Sequence, residues 1–177
     1  TDKKGEGILE NLPAGDYTVK ETKVPAGYFI DGTTYPVKVT PGETVAVGSK
    51  DQPVYGRISI QKSDKETGKA ESQSSDKGFA GAEYTVYAAE KNRDYEKDQE
   101  AAVLTLNEDG KAVSGDLIHG KYYVKETKAP AGYLLDGNKY PVTLSDTAKE
   151  IKVYPVESAD QVIRGNIELI KAEDGTL

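Results

Sequence analysis

The sequence predicts an all-β chain made of tandem antiparallel β-sandwiches, and three observations lead to this prediction. First, the segment Tyr17-Thr-Val-Lys-Glu-Thr-Lys-Val-Pro-Ala-Gly-Tyr28 returns almost unchanged as Tyr122-Tyr-Val-Lys-Glu-Thr-Lys-Ala-Pro-Ala-Gly-Tyr133. So long a repeat period is typical of an array of similar domains. Second, short runs of alternating apolar and polar residues are typical of strands with one buried face. Third, turn-forming pairs such as Asp136-Gly137 separate these runs.

The register of the repeat divides the chain into one complete domain and two partial ones. The run Arg57-Ile-Ser-Ile-Gln-Lys62 has a counterpart in Asn166-Ile-Glu-Leu-Ile-Lys171, which marks the start of another repeat. Residues 1–55 are therefore predicted to be the C-terminal part of one repeat, residues 56–164 a complete domain, and residues 165–177 the first strand of a following repeat. We expect the chain to be a piece of a longer protein, with neighbouring repeats of the same chain as its first partners.

Alternation and turn signals predict the strands of the complete domain. Residues 57–62 form the first strand, and the repeated motif forms a later one at 122–127. The polar residues 63–78 are expected to form a long loop, and the charged residues 89–100 a short helix or a loop. The other strands are expected at 81–88, 101–106, 111–113, 139–144 and 149–154. Seven or so short strands in about 109 residues suit an antiparallel sandwich.

Composition argues against several classes of function. The net charge is −7 with acids and bases interspersed, whereas nucleic-acid binding needs a basic face. No apolar run reaches the length of a membrane span. The sequence has no cysteine, no cluster of metal-binding residues and no glycine-rich phosphate loop. The single histidine, His119, lies in a predicted turn, so we expect neither a cofactor nor a metal.

Strand periodicity makes two charged residues face the predicted core. Alternate residues of a strand share a face, so Lys62 points the same way as the two isoleucines of its strand, Ile58 and Ile60. In the later strand, Glu126 shares the face of Tyr122 and Val124. In both strands the more apolar face therefore ends in a charged side chain.

A lysine and carboxylates that face a core have three ways to avoid an unpaired buried charge. They can form a buried ion network, reach solvent at the strand ends, or react with one another. The reaction is the formation of an amide bond between a lysine and an aspartate. Burial favours the neutral amine and the neutral carboxylic acid, a neighbouring glutamate can transfer the proton, and the fold holds the partners together. The residues alone leave these alternatives open.

Several motifs resemble those of CnaB-type domains, also called SpaA-like or prealbumin-like, of Gram-positive surface adhesins and pilins. The pattern Tyr-x-Val-x-Glu-Thr-x-x-Pro-Ala-Gly-Tyr resembles the E-box of that family. Gly56-Arg-Ile-Ser-Ile-Gln-Lys-Ser-Asp64 resembles its first strand, which carries a reactive lysine, and Gly81-Ala-Glu-Tyr84 resembles the strand that follows. The resemblance covers nearly the whole chain and implies an Ig-like or transthyretin-like sandwich.

The resemblance also implies site residues, because in the family a lysine of the first strand bonds to an Asn or Asp near the end of the last strand, beside the E-box glutamate. For the complete domain these residues are Lys62, Asp160 and Glu126. Many relatives have Asn at the acceptor position; with Asp, water rather than ammonia would leave. Asn166 is a rival acceptor, but it matches Arg57 at the start of the next repeat.

The partial repeats carry parts of the same site. Glu21 matches Glu126, and Asp51, at the end of a strand expected over 45–51, matches Asp160. In the tail, Lys171 matches Lys62. We suggest that the tail strand of one molecule adds to the front piece of the next, so that head-to-tail self-association brings Lys171 near Asp51.

The function that this resemblance implies is structural. We expect a stalk repeat of an extracellular protein anchored to the cell wall, which holds a tip domain that binds a host matrix protein. Its amide bond forms once and leaves no substrate site, so we do not expect an enzyme. One alternative is a repeat that itself binds a host matrix protein or glycan. Another is a spacer in a secreted enzyme; a transthyretin-like hydrolase would need more than one histidine.

Overall fold

The computed structural model describes residues 1–171, which form short strands joined by turns and loops. Ten strands are present, and the described residues contain no helix, so the all-β prediction is confirmed. Accordingly, no helix within residues 1–171 is long and apolar enough to cross a membrane. The chain divides into two compact units. One comprises residues 1–54 with 146–150, and the other residues 55–145 with those from 151 onward.

The first unit is built on one antiparallel strand pair. β1 (Gly15–Lys20) pairs with β2 (Thr34–Val39) along its whole length. The predicted strand at 45–51 does not form, and residues 43–51 have no strand assignment. The reason is the lack of a partner, because the corresponding segment of the second unit forms a strand only by pairing with the first strand of its domain.

The second unit contains eight strands and corresponds to the predicted complete domain. Their bounds are β3 (Tyr55–Asp64), β4 (Glu83–Ala88), β5 (Glu100–Thr105), β6 (Lys111–Val113), β7 (Leu117–Ile118), β8 (Gly120–Lys128), β9 (Lys139–Leu144) and β10 (Lys152–Asp160). The charged segment 89–99 contains turns and bends and no helix, and residue 100 begins β5.

These strands form two sheets. One has the order β10-β3-β6, with β7 also paired to β3, and the other has the order β5-β4-β8-β9. All pairs are antiparallel except β10 with β3, which run parallel along nine register positions from Lys152–Gly56 to Asp160–Asp64. The first and last strands of the domain are therefore neighbours, and their C-terminal ends lie at the same edge of the sheet.

The core lies where the inner faces of the two sheets meet. The predicted facing of the strands is confirmed, since Ile58, Ile60, Tyr122 and Val124 are all at most 2% exposed. Burial of each such side chain stabilises the fold by about 1.5–3 kcal/mol. The other large core residues include Phe79, Tyr84, Val86, Leu104, Leu106, Leu144 and Val156.

Both units contain the same tyrosine anchor at the start of the repeated motif. The Tyr17 hydroxyl donates to the carbonyl of Pro13 over 2.8 Å, and the Tyr122 hydroxyl donates to the carbonyl of Ile118 over 2.9 Å. A tyrosine that bonds back to the backbone a few residues upstream fixes the corner by which a strand enters a sandwich. The repeat seen in the sequence is therefore also a repeat of structure.

The tail shows no strand within its described part. Residues 163–171 are exposed and without strand assignment. An isolated strand has no partner for its backbone N–H and C=O groups, and this segment pairs with no strand of the second unit. Residues 172–177 of the predicted tail strand lie outside the described residues.

Candidate functional site

The two sheets bring five polar side chains together inside the sandwich. Lys62 of β3 is the register partner of Ser158 of β10. On the opposite sheet, Tyr84 of β4 is the register partner of Glu126 of β8, next to an irregularity between Glu83 and Tyr84. Asp160 ends β10, two residues beyond Ser158 and on the same face. Each sheet thus contributes a cross-strand pair to one enclosed site.

Lys62 is at the centre of this site. Its Nζ donates a hydrogen bond to Glu126 Oε1 over 2.6 Å and another to the Tyr84 hydroxyl over 2.6 Å. The same Nζ lies 2.6 Å from Asp160 Oδ2. The side chains of Lys62, Glu126 and Asp160 are 0% exposed. The structure therefore brings together the three residues that the resemblance implied, and it removes them from solvent.

The carboxyl group of Asp160 differs from that of Glu126 in its contacts. Neither oxygen of Asp160 accepts a hydrogen bond of normal geometry from the described residues, although Oδ2 touches Nζ. Burial raises the pKa of Asp160 to about 6 against the opposing attraction of Lys62, and the negative charge of Glu126 adds to the rise. One ammonium and two carboxylates carry an excess of negative charge, which also favours retention of a proton. This shift in pKa favours the neutral acid form of Asp160.

Glu126 is held in place by the turn that follows its strand. Its Oε2 accepts a hydrogen bond from the backbone N–H of Asp136 over 2.7 Å, while Oε1 faces Lys62. Asp136 is itself fixed, because its carboxylate accepts bonds from the Tyr140 hydroxyl and the backbone N–H of Asn138. The Asp-Gly turn read from the sequence therefore orients the glutamate.

A second buried aspartate, Asp64, closes the end of the site. Its carboxylate accepts hydrogen bonds from the Tyr133 hydroxyl, the side-chain amide of Gln73 and the backbone N–H groups of Glu66 and Thr67. Burial raises its pKa, but these four bonds outweigh burial and hold the pKa of Asp64 well below its usual range. Asp64 is therefore a satisfied carboxylate that shapes the loop after β3.

That loop also holds the backbone of the acceptor residue. The N–H of Lys65 donates to the carbonyl oxygen of Asp160 over 2.9 Å. The turn capped by Asp64 thus fixes the end of β10 beside the end of β3. Of the two candidate acceptors, Asp160 contacts Lys62, with Oδ2 lying 2.6 Å from Nζ, whereas Asn166 is exposed in the segment after β10.

The first unit has the glutamate half of the site. Glu21 Oε2 accepts a hydrogen bond from the backbone N–H of Asp31 over 3.2 Å, just as Glu126 does from Asp136. Asp31 also accepts a bond from the Tyr35 hydroxyl, as Asp136 does from Tyr140. Glu21 is half-buried, in contrast to the fully buried Glu126.

The remaining two residues predicted for the partial sites, Asp51 and Lys171, are more exposed than their counterparts Asp160 and Lys62. Asp51 is half-buried in the unpaired segment, and Lys171 is exposed. Residues 1–171 contain no cluster of three or more histidine, cysteine or acidic residues arranged to hold a metal ion. Four charged residues of the described chain are buried, and three of them, Lys62, Glu126 and Asp160, form one cluster.

Sequence reasoning missed Tyr84, Ser158 and Asp64 as members of this site. The signal for Asp64 was available, because it continues the period of Ile58, Ile60 and Lys62. Tyr84 has the pattern of an ordinary core aromatic, and nothing in the sequence indicates that its hydroxyl meets Lys62. Ser158 could be placed only once the register of β10 against β3 was known.

Comparison with known proteins identifies the family of the chain. The family described as the SpaA prealbumin-like fold domain matches residues 1–53 and 56–158. The trypsin-resistant surface T6 protein of Streptococcus pyogenes serotype M6 is 38% identical over 50 residues, which are 28% of this chain and 9% of that protein. Among solved structures, the Bacillus anthracis TIE protein is 30% identical with a TM-score of 0.72, over 92% of this chain and 28% of that one.

A more distant structure shares the fold alone. The C-terminal fragment of the pilus adhesin SpaC from Lactobacillus rhamnosus GG is 18% identical with a TM-score of 0.56, over 89% of this chain and 81% of that fragment. The chain spans only a small part of the T6 and TIE proteins. The match nevertheless covers both repeats, and the chain therefore belongs to the SpaA prealbumin-like fold domain family, found in pilins and surface adhesins of Gram-positive bacteria.

Proposed function

We propose that the second unit is a structural stalk domain braced by a self-formed amide bond between Lys62 and Asp160. The observation that carries this proposal is the contact of 2.6 Å between Lys62 Nζ and Asp160 Oδ2, inside a core where both side chains are 0% exposed. A buried ion pair would be a poor source of stability, because desolvation of the charges offsets their attraction. Condensation to a neutral amide removes both charges.

The reaction needs no external reagent. A proton passes from the Lys62 ammonium to Asp160, which gives a neutral amine and a neutral carboxylic acid. The lone pair of Nζ attacks Cγ of Asp160, and Glu126 accepts a proton from Nζ. Glu126 then delivers that proton to the departing hydroxyl group as the bond between Cγ and oxygen breaks. The products are one amide and one water, and Glu126 returns to its starting state.

The position of the bond suits a domain that carries tension. The chain enters through β3 and leaves after β10, and these two strands are parallel neighbours. A bond near their C-terminal ends passes force from Lys62 directly to Asp160. The residues between them, including β4 to β9, then lie in a closed loop outside the load path. This geometry supports a stalk more than a catalyst, since the bond leaves no free substrate site.

The setting of the whole protein is part of the same proposal. The family and the relatives support an extracellular location on the bacterial surface. We further propose that the parent chain is anchored to the cell wall and holds a tip domain that binds a host matrix protein. Direct binding by the repeat itself is less well supported, because the outer tyrosines Tyr87 and Tyr123 already bind groups of their own domain. Their rings stack on each other with centroids 5.1 Å apart. The Tyr87 hydroxyl donates to the carboxylate of Glu100, and the Tyr123 hydroxyl donates to that of Asp98.

The first test is the mass of the intact folded chain. We expect it to fall short of the sequence mass by one water, and a peptide pair containing Lys62 and Asp160 should remain joined after digestion. Asp160→Asn is a matched variant, because an amide acceptor releases ammonia instead. It should therefore lose one ammonia at the same position. A folded wild-type chain with its full sequence mass would exclude the bond.

The partial site of the first unit supports a second, intermolecular linkage. Glu21 accepts a hydrogen bond from the backbone N–H of Asp31, as Glu126 does from that of Asp136. Lys171 is exposed and so open to a second molecule. We propose that Lys171 of one molecule is able to bond with Asp51 of the next, because an unpaired strand edge accepts another strand. Such head-to-tail contacts build open chains.

Denaturing gel electrophoresis of the concentrated chain tests this linkage. A ladder of covalent oligomers is expected, and Lys171→Ala should abolish it. The exposed lysine Lys128, in β8, gives the matched control Lys128→Ala, which should leave the ladder unchanged. A single monomer band for the wild-type chain would refute the intermolecular bond without affecting the one within the second unit.

A further inference from the structure

A neutral amine has two N–H groups and one lone pair, and Lys62 Nζ has three close neighbours. Two of them, Glu126 Oε1 and the Tyr84 hydroxyl, lie in hydrogen-bond geometry, each 2.6 Å away. The third, Asp160, is equally close, but its oxygens receive no hydrogen bond of normal geometry. The two N–H groups are thus assigned to Glu126 and Tyr84, and the lone pair is left facing Asp160.

From this arrangement we propose that Tyr84 is a further catalytic residue of the cross-linking reaction, and that Ser158 positions it. The proposal rests on the amide bond proposed above. The Tyr84 hydroxyl accepts the second N–H of Lys62 and so prevents the amine from turning that N–H towards Asp160. Without this acceptor, Lys62 and Asp160 settle into an ordinary hydrogen-bonded ion pair, in which the lone pair is not aimed at Cγ.

Ser158 fixes the direction of the Tyr84 hydroxyl. The two hydroxyl oxygens lie 2.5 Å apart, and both side chains are buried. Either hydroxyl is able to donate in this contact; we assign the Tyr84 hydroxyl as the donor, because its oxygen already accepts an N–H from Lys62. The lone pair of the phenol therefore points to Lys62 and its proton points away. Because Ser158 is the register partner of Lys62, the same strand pairing sets the serine, the lysine and the acceptor aspartate.

Tyr84 keeps its own proton throughout the reaction. Burial raises the pKa of Tyr84, and the nearby negative charges of Glu126 and Asp160 add to the rise. The hydroxyl is therefore a neutral acceptor and not a base, which leaves proton transfer to Glu126. The division of roles is that Glu126 moves the proton and Tyr84 holds the amine.

The test measures how fast the newly made chain cross-links. The full 177-residue chain is synthesised in a cell-free system, samples are quenched in denaturant at successive times, and the fraction that has lost water is read from the intact mass. Tyr84→Phe removes only the hydroxyl, and we expect it to slow cross-linking about 10- to 100-fold, as misplacement of a reacting group does. Ser158→Ala should slow it less, and Ser158→Thr, which keeps a hydroxyl, should restore the rate.

Tyr122→Phe is the matched control. It also removes a buried tyrosine hydroxyl, but that hydroxyl bonds to the Ile118 carbonyl and not to Lys62. Its cross-linking rate should equal that of the wild-type chain. The folded fraction of each variant is measured separately in a Glu126→Gln background, where we expect no bond to form.

The outcomes separate this inference from the proposed function. If the wild-type chain never loses water, the amide bond itself is excluded. If the wild-type chain cross-links and Tyr84→Phe cross-links as fast as Tyr122→Phe, the role of Tyr84 is refuted. It is also refuted if the slower reaction of Tyr84→Phe is matched by an equal loss of folded protein. Slow cross-linking in a fully folded Tyr84→Phe chain supports the inference.

Discussion

Replacing Asp160 by alanine should abolish the cross-link and lower the free energy of unfolding by about 4–5 kcal/mol, on the loop-entropy estimate for a covalent link that closes a loop of about a hundred residues. With the proposed bond in place, the unfolded wild-type chain keeps Lys62 and Asp160 joined and so has fewer conformations than the variant. The variant should still fold, because Lys62 Nζ keeps its hydrogen bonds to Glu126 and Tyr84.

Denaturant unfolding of both chains measures this effect. The wild-type chain should also show the smaller dependence on denaturant concentration, since a chain closed by a cross-link exposes less surface when it unfolds. Asp160→Asn keeps an acceptor and should retain most of the stability. Asp116→Ala removes an exposed aspartate that pairs with Arg57, and it should change stability by less than about 1 kcal/mol. An unchanged melting temperature in Asp160→Ala would contradict the proposed bracing.

The strand pattern predicted much of this site, because a period of two residues assigns every side chain of a strand to a face. That rule placed Lys62 beside Ile58 and Ile60, and Glu126 beside Tyr122 and Val124, and all six are buried. The same rule extended by one step would have included Asp64. The facing of charged residues is readable from sequence because it depends only on local geometry.

The pairing of distant strands could not be read in this way. Asp160 was assigned from the resemblance, because Pro155 and the irregular run before it obscure the period of β10. The parallel pairing of β10 with β3 is a contact between the two ends of the domain, and it alone brings Ser158 opposite Lys62. The position of Ser158 depends on this contact, and that of Tyr84 depends on the packing of one sheet against the other, so no local pattern indicates either residue.

The segment 45–51 shows that a strand-like sequence pattern is not sufficient to form a strand. Val45 and Val47 alternate with smaller residues as they would in a strand, yet residues 43–51 have no strand assignment. Alternation describes a strand that is able to form, whereas the strand itself requires a neighbour for its backbone hydrogen bonds. In the second unit β3 supplies that neighbour to β10, and residues 1–54 contain no equivalent of β3.

Replacing Glu126 by glutamine should leave a folded chain that does not cross-link. The amide has nearly the shape of the carboxylate and can still accept the backbone N–H of Asp136, so packing is expected to survive. It cannot accept a proton from Nζ, and loss of general acid–base catalysis slows a reaction by about 10²- to 10⁴-fold. Intact mass should therefore show no loss of water at times when the wild-type chain has reacted completely.

This variant also isolates the contribution of the bond to stability. Lys62 and Asp160 remain in place in Glu126→Gln, so its difference in unfolding free energy from the wild-type chain reports the missing amide more directly than Asp160→Ala does. The matched control is Glu157→Gln, which changes an exposed glutamate of β10 and should cross-link at the wild-type rate. If Glu126→Gln instead lost a full water as fast as that control, Glu126 would have no part in the proton transfer, and Asp160 and Lys62 would have to complete the reaction by themselves.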